Sequence, residues 1–201
     1  MTIVNVAIRH DRAIVAVDTQ TIAKLDDDFP EFDSTRDVSK MIPLVHANTV
    51  FAVRGSLAWL PIAFGQMFTM ALENGIDDVA SVLPSLLNAV SADPSIPAAV
   101  SEGPQEVWAV GWSKKRGCPR GIVCIRQPDA TFEVHEVGEA VAPELESDIP
   151  PMWQPEQMAA LARRQVAMQR ERFPGAPIGG RLLQAEITAT GMTIREVCDL
   201  G

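Results

Sequence analysis

The chain has 201 residues and a net charge of −9, and 47% of its residues are apolar. This length and apolar content suit one buried core, so we expect residues 1–201 to form a single domain. The negative charge and the lack of a long basic run argue against duplex nucleic acid or an anionic membrane as partner. Three cysteines without close metal-ligand spacing predict reduced thiols. With no signal-peptide pattern at its start, we expect a cytoplasmic protein without a metal or cofactor.

Strand patterns dominate the first third of the chain. Four segments rich in apolar and β-branched residues are predicted strands: Thr2–Arg9, Ala13–Val17, Met41–His46 and Thr49–Val53. Asp18 ends the second strand. The polar, acidic residues 26–39 predict an exposed loop.

Two helices are predicted next. Ser56 is a candidate N-cap for a helix that starts at Leu57, and Asn74-Gly75 supplies a stop signal. A second helix is predicted from Asp77 to about Val90, although Pro84 lies in its middle.

The second half returns to strands. Five further strand candidates are Glu106–Trp112, Gly121–Gln127, Thr131–Val137, Leu182–Thr188 and Met192–Val197. Between them, Glu139–Pro151 predicts an acidic loop and Pro155–Arg172 a helix with favourable charges at both ends. This order does not alternate as a parallel doubly wound sheet does. It predicts an α+β fold, a four-layer αββα sandwich of two mostly antiparallel sheets with helices on both outer faces.

Thr2 is the first candidate for chemistry. Removal of Met1 would make Thr2 the amino terminus, so that one residue carries both a hydroxyl nucleophile and an α-amine with a pKa of about 7.7–8. Threonine is also a common second residue, and alone it indicates little.

Four residues together carry a resemblance to a known family. Thr2 opens a Thr-Ile-Val strand, Asp18 closes the second strand, Lys40 begins the next hairpin, and Gly55 precedes the first long helix. In residue type and order this set resembles the amino-terminal-nucleophile (Ntn) hydrolases of the proteasome β-subunit group, and in particular the bacterial proteasome-like threonine peptidases. The interval from Thr2 to Asp18 matches the family, whereas the acidic loop lengthens the interval from Asp18 to Lys40.

The resemblance implies a role for each of these residues. Thr2 Oγ would attack a carbonyl carbon while the α-amine accepts the proton. The Lys40 ammonium would lower the pKa of that amine, and Asp18 would orient Lys40. The Gly55 N–H would donate to the developing oxyanion. Each residue also has an ordinary structural explanation: a strand-ending turn for Asp18, a solvated lysine for Lys40 and a tight strand-to-helix turn for Gly55.

The second half departs from the family pattern. The family places a serine in a Gly-Ser-Gly segment, where this chain has Val137-Gly138-Glu139. It also places an Asp and a Ser near a late Gly-Gly, where this chain has Ile178-Gly179-Gly180. These absences favour a degenerate member of the group.

Three functions therefore remain open. The first is a threonine-type peptidase that cleaves peptides or unfolded proteins within a homo-oligomeric ring, with a possible ATPase partner. The second is a catalytically silent scaffold or assembly subunit, and the third is an Ntn amidase that acts on a small amide. No Gly-x-Ser-x-Gly elbow supports a serine triad.

Overall fold

The computed structural model describes residues 2–23, 34–96, 100, 104–146, 149 and 151–201. These residues form an α+β fold with two five-stranded antiparallel sheets, one two-stranded sheet and three helices. The α+β class with two antiparallel sheets is thereby confirmed.

The first sheet combines strands from both ends of the chain. Its order is β10-β1-β2-β11-β12, with β1 at Val4–Ile8, β2 at Arg12–Asp18, β10 at Glu139–Ala142, β11 at Arg181–Thr188 and β12 at Gly191–Asp199. The edge strands are β10 and β12. The second hairpin of the chain, β3 at Gln20–Ala23 and β4 at Ser34–Asp37, forms the two-stranded sheet.

The second sheet is a meander. Its order is β5-β6-β7-β8-β9, with β5 at Met41–Leu44, β6 at Thr49–Arg54, β7 at Glu106–Ser113, β8 at Cys118–Arg126 and β9 at Phe132–Val137. A short 3₁₀ helix, Val45–Ala47, joins β5 to β6.

The three α-helices are α1 at Trp59–Phe68, α2 at Ile76–Ser91 and α3 at Pro155–Arg172. Helix α3 begins where the sequence predicts, because Gln154 and Gln157 form a reciprocal capping box and Pro155 occupies the first turn. Pro84 is accommodated within α2. None of the helices in the described ranges is both long and apolar enough to cross a membrane.

The buried apolar residues form three clusters. One joins residues of α1 and α2 to the second sheet, including Trp59, Leu83 and Phe51. Another joins α3 to the first sheet, including Leu161 and Ile14. The third joins the two sheets, where Val15 of one sheet packs in the same cluster as Val50 of the other. The alternation of side chains along each strand explains why neighbouring residues serve different clusters.

Several sequence predictions are wrong at element boundaries. Residues 34–37, predicted to be loop, form β4, while the rest of the predicted loop up to residue 33 lies outside the described residues. Residues 139–142, also predicted to be loop, form β10. Because four residues carry little pattern, the pairing with β1 decides their conformation.

The first helix is also shorter than predicted. It starts at Trp59, its N-cap is Ala58 and no side chain caps it, so Ser56 is not the N-cap. It ends at Phe68 rather than at Asn74-Gly75. Gly75, with φ 67°, instead precedes the first residue of α2.

Candidate active site

Asp18 is the centre of a buried polar cluster. It is the last residue of β2 and is 0% exposed. Its Oδ1 accepts a hydrogen bond from the Ile3 N–H at 2.8 Å, and its Oδ2 accepts from Lys40 Nζ at 2.9 Å and from the Gly179 N–H at 3.2 Å. Three donors from three separate parts of the chain therefore converge on one carboxylate. Charged side chains are seldom buried unless they are paired in this way.

Lys40 is the charged partner of Asp18. It immediately precedes β5 and is 1% exposed, among the largest fully buried side chains of the protein. Its backbone carbonyl accepts from the Val53 N–H at 3.3 Å, which aligns Lys40 with the end of β6. The structure thus excludes the solvated-lysine explanation, because a solvated side chain would extend into water.

Burial dominates the electrostatics of this pair. It raises the pKa of Asp18 above the ordinary value of 3.8, while the Lys40 charge and the hydrogen bonds to Asp18 act in the opposite direction. Burial likewise lowers the pKa of Lys40 from 10.5, opposed by Asp18 and more weakly by Asp37. Lys40 is consequently an ammonium that releases its proton more readily than an exposed lysine does.

Thr2 lies directly beside this pair. It is 2% exposed, and the N–H that donates to Asp18 Oδ1 belongs to the peptide unit joining Thr2 to Ile3. Asp18 therefore holds both the Lys40 ammonium and the backbone next to Thr2. Met1 lies outside the described residues.

Gly55 is connected to the cluster through β6, the strand that it follows. It follows the last residue of β6, and Val53, two residues earlier, is the residue that bonds the Lys40 carbonyl. Its φ of 110° is open only to glycine, and an added Cβ would contact Gln105 Oε1 and come within 2.5 Å of the Pro104 carbonyl oxygen. We expected a helix that follows Gly55 at once to add a favourable dipole at its N–H. Because α1 starts four residues later, this dipole acts on the Gly55 N–H more weakly than expected.

A second polar group, which the sequence did not reveal, supports Asp18 from the side of β11. The Gly179 carbonyl accepts from the N–H groups of Thr19 and Gln20, at 3.3 and 3.1 Å, while the Gly179 N–H donates to Asp18. Thr19 Oγ1 donates to Asp37 Oδ1 at 3.0 Å and accepts from the Arg181 N–H at 2.8 Å. Of these groups, only the Gly-Gly pair was recognised in the sequence, as the glycine pair that the family pattern expects near the last strands.

Among the described residues, no serine side chain forms a hydrogen bond with Asp18. The two glycine segments also lie in different places. Gly179 takes part with its backbone, whereas Gly138 separates β9 from β10. The absence of the family's polar partners thus leaves main-chain groups in contact with Asp18. No group of three or more potential metal ligands occurs in the described part of the chain.

Comparison with known proteins adds no relative. No protein-family model matches the chain, and none of the curated proteins matches it significantly. The assignment of chemistry to this cluster accordingly depends on its geometry and on the resemblance of Thr2, Asp18, Lys40 and Gly55.

Proposed function

We propose that the protein is a threonine-type peptidase that uses Thr2, freed by removal of Met1, as its nucleophile. The observation that carries the proposal is the Asp18 carboxylate, which binds Lys40 Nζ at 2.9 Å and the Ile3 N–H at 2.8 Å. The carboxylate that binds this buried ammonium thus also binds the peptide unit that follows Thr2, the residue whose amine and hydroxyl could act together.

The proposed chemistry needs a base that is neutral at physiological pH. The α-amine of Thr2 would accept the proton from its own Oγ as Oγ attacks the carbonyl carbon. A neighbouring positive charge disfavours protonation of that amine, which keeps it available as a base. The Gly55 N–H would stabilise the oxyanion of the tetrahedral intermediate.

The fold supports the same proposal. The three apolar clusters, one between the sheets and one on the far side of each, are those expected of an αββα sandwich. We infer the Ntn-hydrolase form of this sandwich, with Thr2 two residues before the inner strand β1. A homo-oligomeric ring and an ATPase partner are part of the proposal through the resemblance alone.

A peptidase assay tests the proposal. Fluorogenic peptides of varied length and charge, with small amides for comparison, are incubated with the wild type, Thr2→Ala, Thr2→Ser and the exposed control Thr190→Ala. We expect hydrolysis by the wild type and Thr190→Ala, weaker hydrolysis by Thr2→Ser, and none by Thr2→Ala. Hydrolysis of small amides only would indicate an amidase instead, and equal hydrolysis by Thr2→Ala would refute the nucleophile.

A catalytically silent scaffold is the second candidate. It is favoured by the Gly179 contact, because a backbone N–H occupies an acceptor site on Asp18 and supplies no side chain that could relay a proton. Retention of Met1 in the purified protein, together with no hydrolysis of any substrate, would support this candidate.

A further inference from the structure

The edge of β10 opens into a large cavity that lies outside the Thr2 site. The cavity has a volume of about 1210 Å³, and Thr2, Asp18, Lys40 and Gly55 do not line it. Its walls come from β10, from the inner face of the second sheet at Trp108 and Val123, and from the C-terminal turns of α3 at Gln169 and Phe173.

The hydrogen-bond pattern shows which groups of β10 face this cavity. Arg9 and Arg12 close the β1–β2 hairpin through a hydrogen bond from the Arg9 N–H to the Arg12 carbonyl, at 2.8 Å. Because bonded pairs alternate along an antiparallel ladder, Val4 and Val6 direct their main-chain groups toward β10.

Val4 and Val6 pair with Ala142 and Ala140. The intervening residues of β10, Glu139 and Val141, therefore direct their N–H and C=O groups away from β1 and into the cavity. Val141 is only 6% exposed, so its outward main-chain groups lie in a recess rather than on an open surface. Recessed main-chain groups of this kind call for a hydrogen-bonding partner.

An unpaired side chain faces the same space. Gln169 lines the cavity and is 5% exposed, and its Oε1 has no hydrogen-bond partner among the described residues. A buried amide oxygen without a donor is uncommon in proteins. The strand edge and this side chain are independent observations that point to one missing ligand.

The charges around the cavity restrict the chemistry of that ligand. Its three arginines are engaged: Arg54 with Glu106 at 2.6 Å, Arg172 with Glu146, and Arg9 over the Trp153 ring at 4.0 Å. Two exposed carboxylates that line it, Glu139 and Glu144, form no ion pair with any residue in the described ranges. Arg9 keeps its positive charge over the Trp153 ring, so the cavity residues together with Glu146 carry four carboxylates against three guanidinium groups. One carboxylate is in excess, and it favours a basic ligand.

We propose that this cavity binds an extended basic peptide segment, which adds to β10 as a sixth strand of the first sheet. The main-chain groups of Glu139 and Val141 pair with the peptide. Alternate peptide side chains face Trp108 on one side and Gln169 on the other, where a hydroxyl or amide group donates to Oε1. Lysines of the peptide lie near Glu139 and Glu144. This binding is independent of the proposed hydrolysis.

Fluorescence anisotropy with a labelled Lys-Val-Thr-Val-Thr-Val-Lys peptide tests the proposal, using the full chain with Thr2→Ala to prevent cleavage. We expect saturable binding. The same peptide with alternate backbone amides N-methylated should bind roughly tenfold more weakly or worse, because its strand pairing is lost. Replacement of both lysines by glutamate should weaken binding further. Equal binding of the methylated peptide would overturn the proposal, as would no binding of the parent peptide.

Protein variants locate the site. Val141→Pro removes an outward donor without touching the ladder to β1 and should abolish binding. Val134→Pro is the matched control: by the same alternation from the Gln127–Thr131 bond it also faces outward, on the edge strand β9, and should bind normally. Glu144→Lys and Gln169→Met change side chains only and serve as the test if Val141→Pro does not fold. Each should weaken binding several-fold. Unchanged affinity in both would contradict the assignment.

Discussion

Two buried polar clusters lie along β1, and they differ in charge. Immediately before the strand begins, the Ile3 N–H donates to the Asp18 carboxylate, which also binds Lys40. Two residues later, Asn5 exchanges two hydrogen bonds with Gln165 of α3, at 2.7 and 3.0 Å. Gln165 Nε2 also donates to the Pro143 carbonyl at 2.9 Å.

The amide cluster shows that this fold needs no buried charge to connect distant elements. Asn5 and Gln165 are 160 residues apart, and their neutral side chains tie α3 to the first sheet. A buried ion pair has a larger desolvation cost and is often no more stabilising than apolar replacements. We therefore infer that Asp18 and Lys40 are present for the chemistry of Thr2, whereas Asn5 and Gln165 are present for packing.

The largest expected effect comes from breaking the charged cluster on one side only. Lys40→Met leaves the Asp18 carboxylate buried without the ammonium that it binds, and Asp18→Asn removes the carboxylate that binds Lys40 Nζ at 2.9 Å. Each should lower the free energy of unfolding by about 3–5 kcal/mol in urea titrations and abolish peptide hydrolysis.

The double variant Asp18→Asn with Lys40→Met separates stability from chemistry. It should recover most of the lost stability but none of the activity, because the neutral pair packs without tuning the Thr2 amine. A double variant that hydrolyses peptides at the wild-type rate would show that the ion pair is purely structural.

The sequence predicted the first cluster better than the second. Thr2, Asp18 and Lys40 were singled out because their residue types and order within the first forty positions resemble those of the proteasome-like threonine peptidases. Asn5 and Gln165 carry no such signal, since either amide could be a surface residue. Their pairing depends on the position of α3 on the sheet, which nothing local determines.

The same contrast holds for the secondary structure. Helix α3 was predicted with its observed boundaries because Pro155 and the residues after Arg172 mark its ends. Strand β10 was missed because its conformation depends on β1, more than 130 residues away in sequence. The role of Gly179 was missed for a related reason: its contribution is a main-chain N–H, which the side-chain pattern does not encode.

A second prediction concerns the backbone at Gly55, near the cluster of Asp18 and Lys40. Gly55→Ala places a Cβ against Gln105 and the Pro104 carbonyl oxygen at a φ of 110°. It should lower stability by about 1–3 kcal/mol and, if the Gly55 N–H is the oxyanion donor that we propose, reduce hydrolysis by roughly 10²–10³. Gly65→Ala in α1, where a Cβ meets no atom within 4 Å, is the control and should retain activity.

The amide cluster should respond in stability alone. Gln165→Leu leaves Asn5 and the Pro143 carbonyl without a partner, and we expect a loss of about 1–3 kcal/mol in thermal or urea unfolding. Adding Asn5→Leu should restore part of it. Hydrolysis per folded molecule should stay near the wild-type value. A loss of activity in folded Gln165→Leu would contradict the inference that the amide cluster serves packing and not chemistry.

The smallest expected effect is on the pH dependence of stability. Because the pKa of Asp18 is raised, this group contributes stability that is fully present below pH 3.8, its ordinary pKa. That stability is lost as the pH rises through the pKa of the folded state. Because the pKa of Lys40 is lowered, this group contributes stability that is present above pH 10.5 and is lost as the pH falls through the pKa of the folded state. The free energy of unfolding of the wild type, measured relative to that of the Asp18→Asn, Lys40→Met double variant, should therefore be lowest in the neutral pH range. The difference between Gln165→Leu and the wild type should be flat with pH.

Covalent trapping at the amino terminus tests the central claim most directly. The protein is treated with a threonine-reactive β-lactone, and the adduct is located by intact mass and by fragmentation of the amino-terminal peptide. We predict a chain that has lost Met1 and carries one adduct on Thr2, with labelling abolished in Lys40→Met. A chain that retains Met1, or an adduct that persists in Thr2→Ala, would contradict the account.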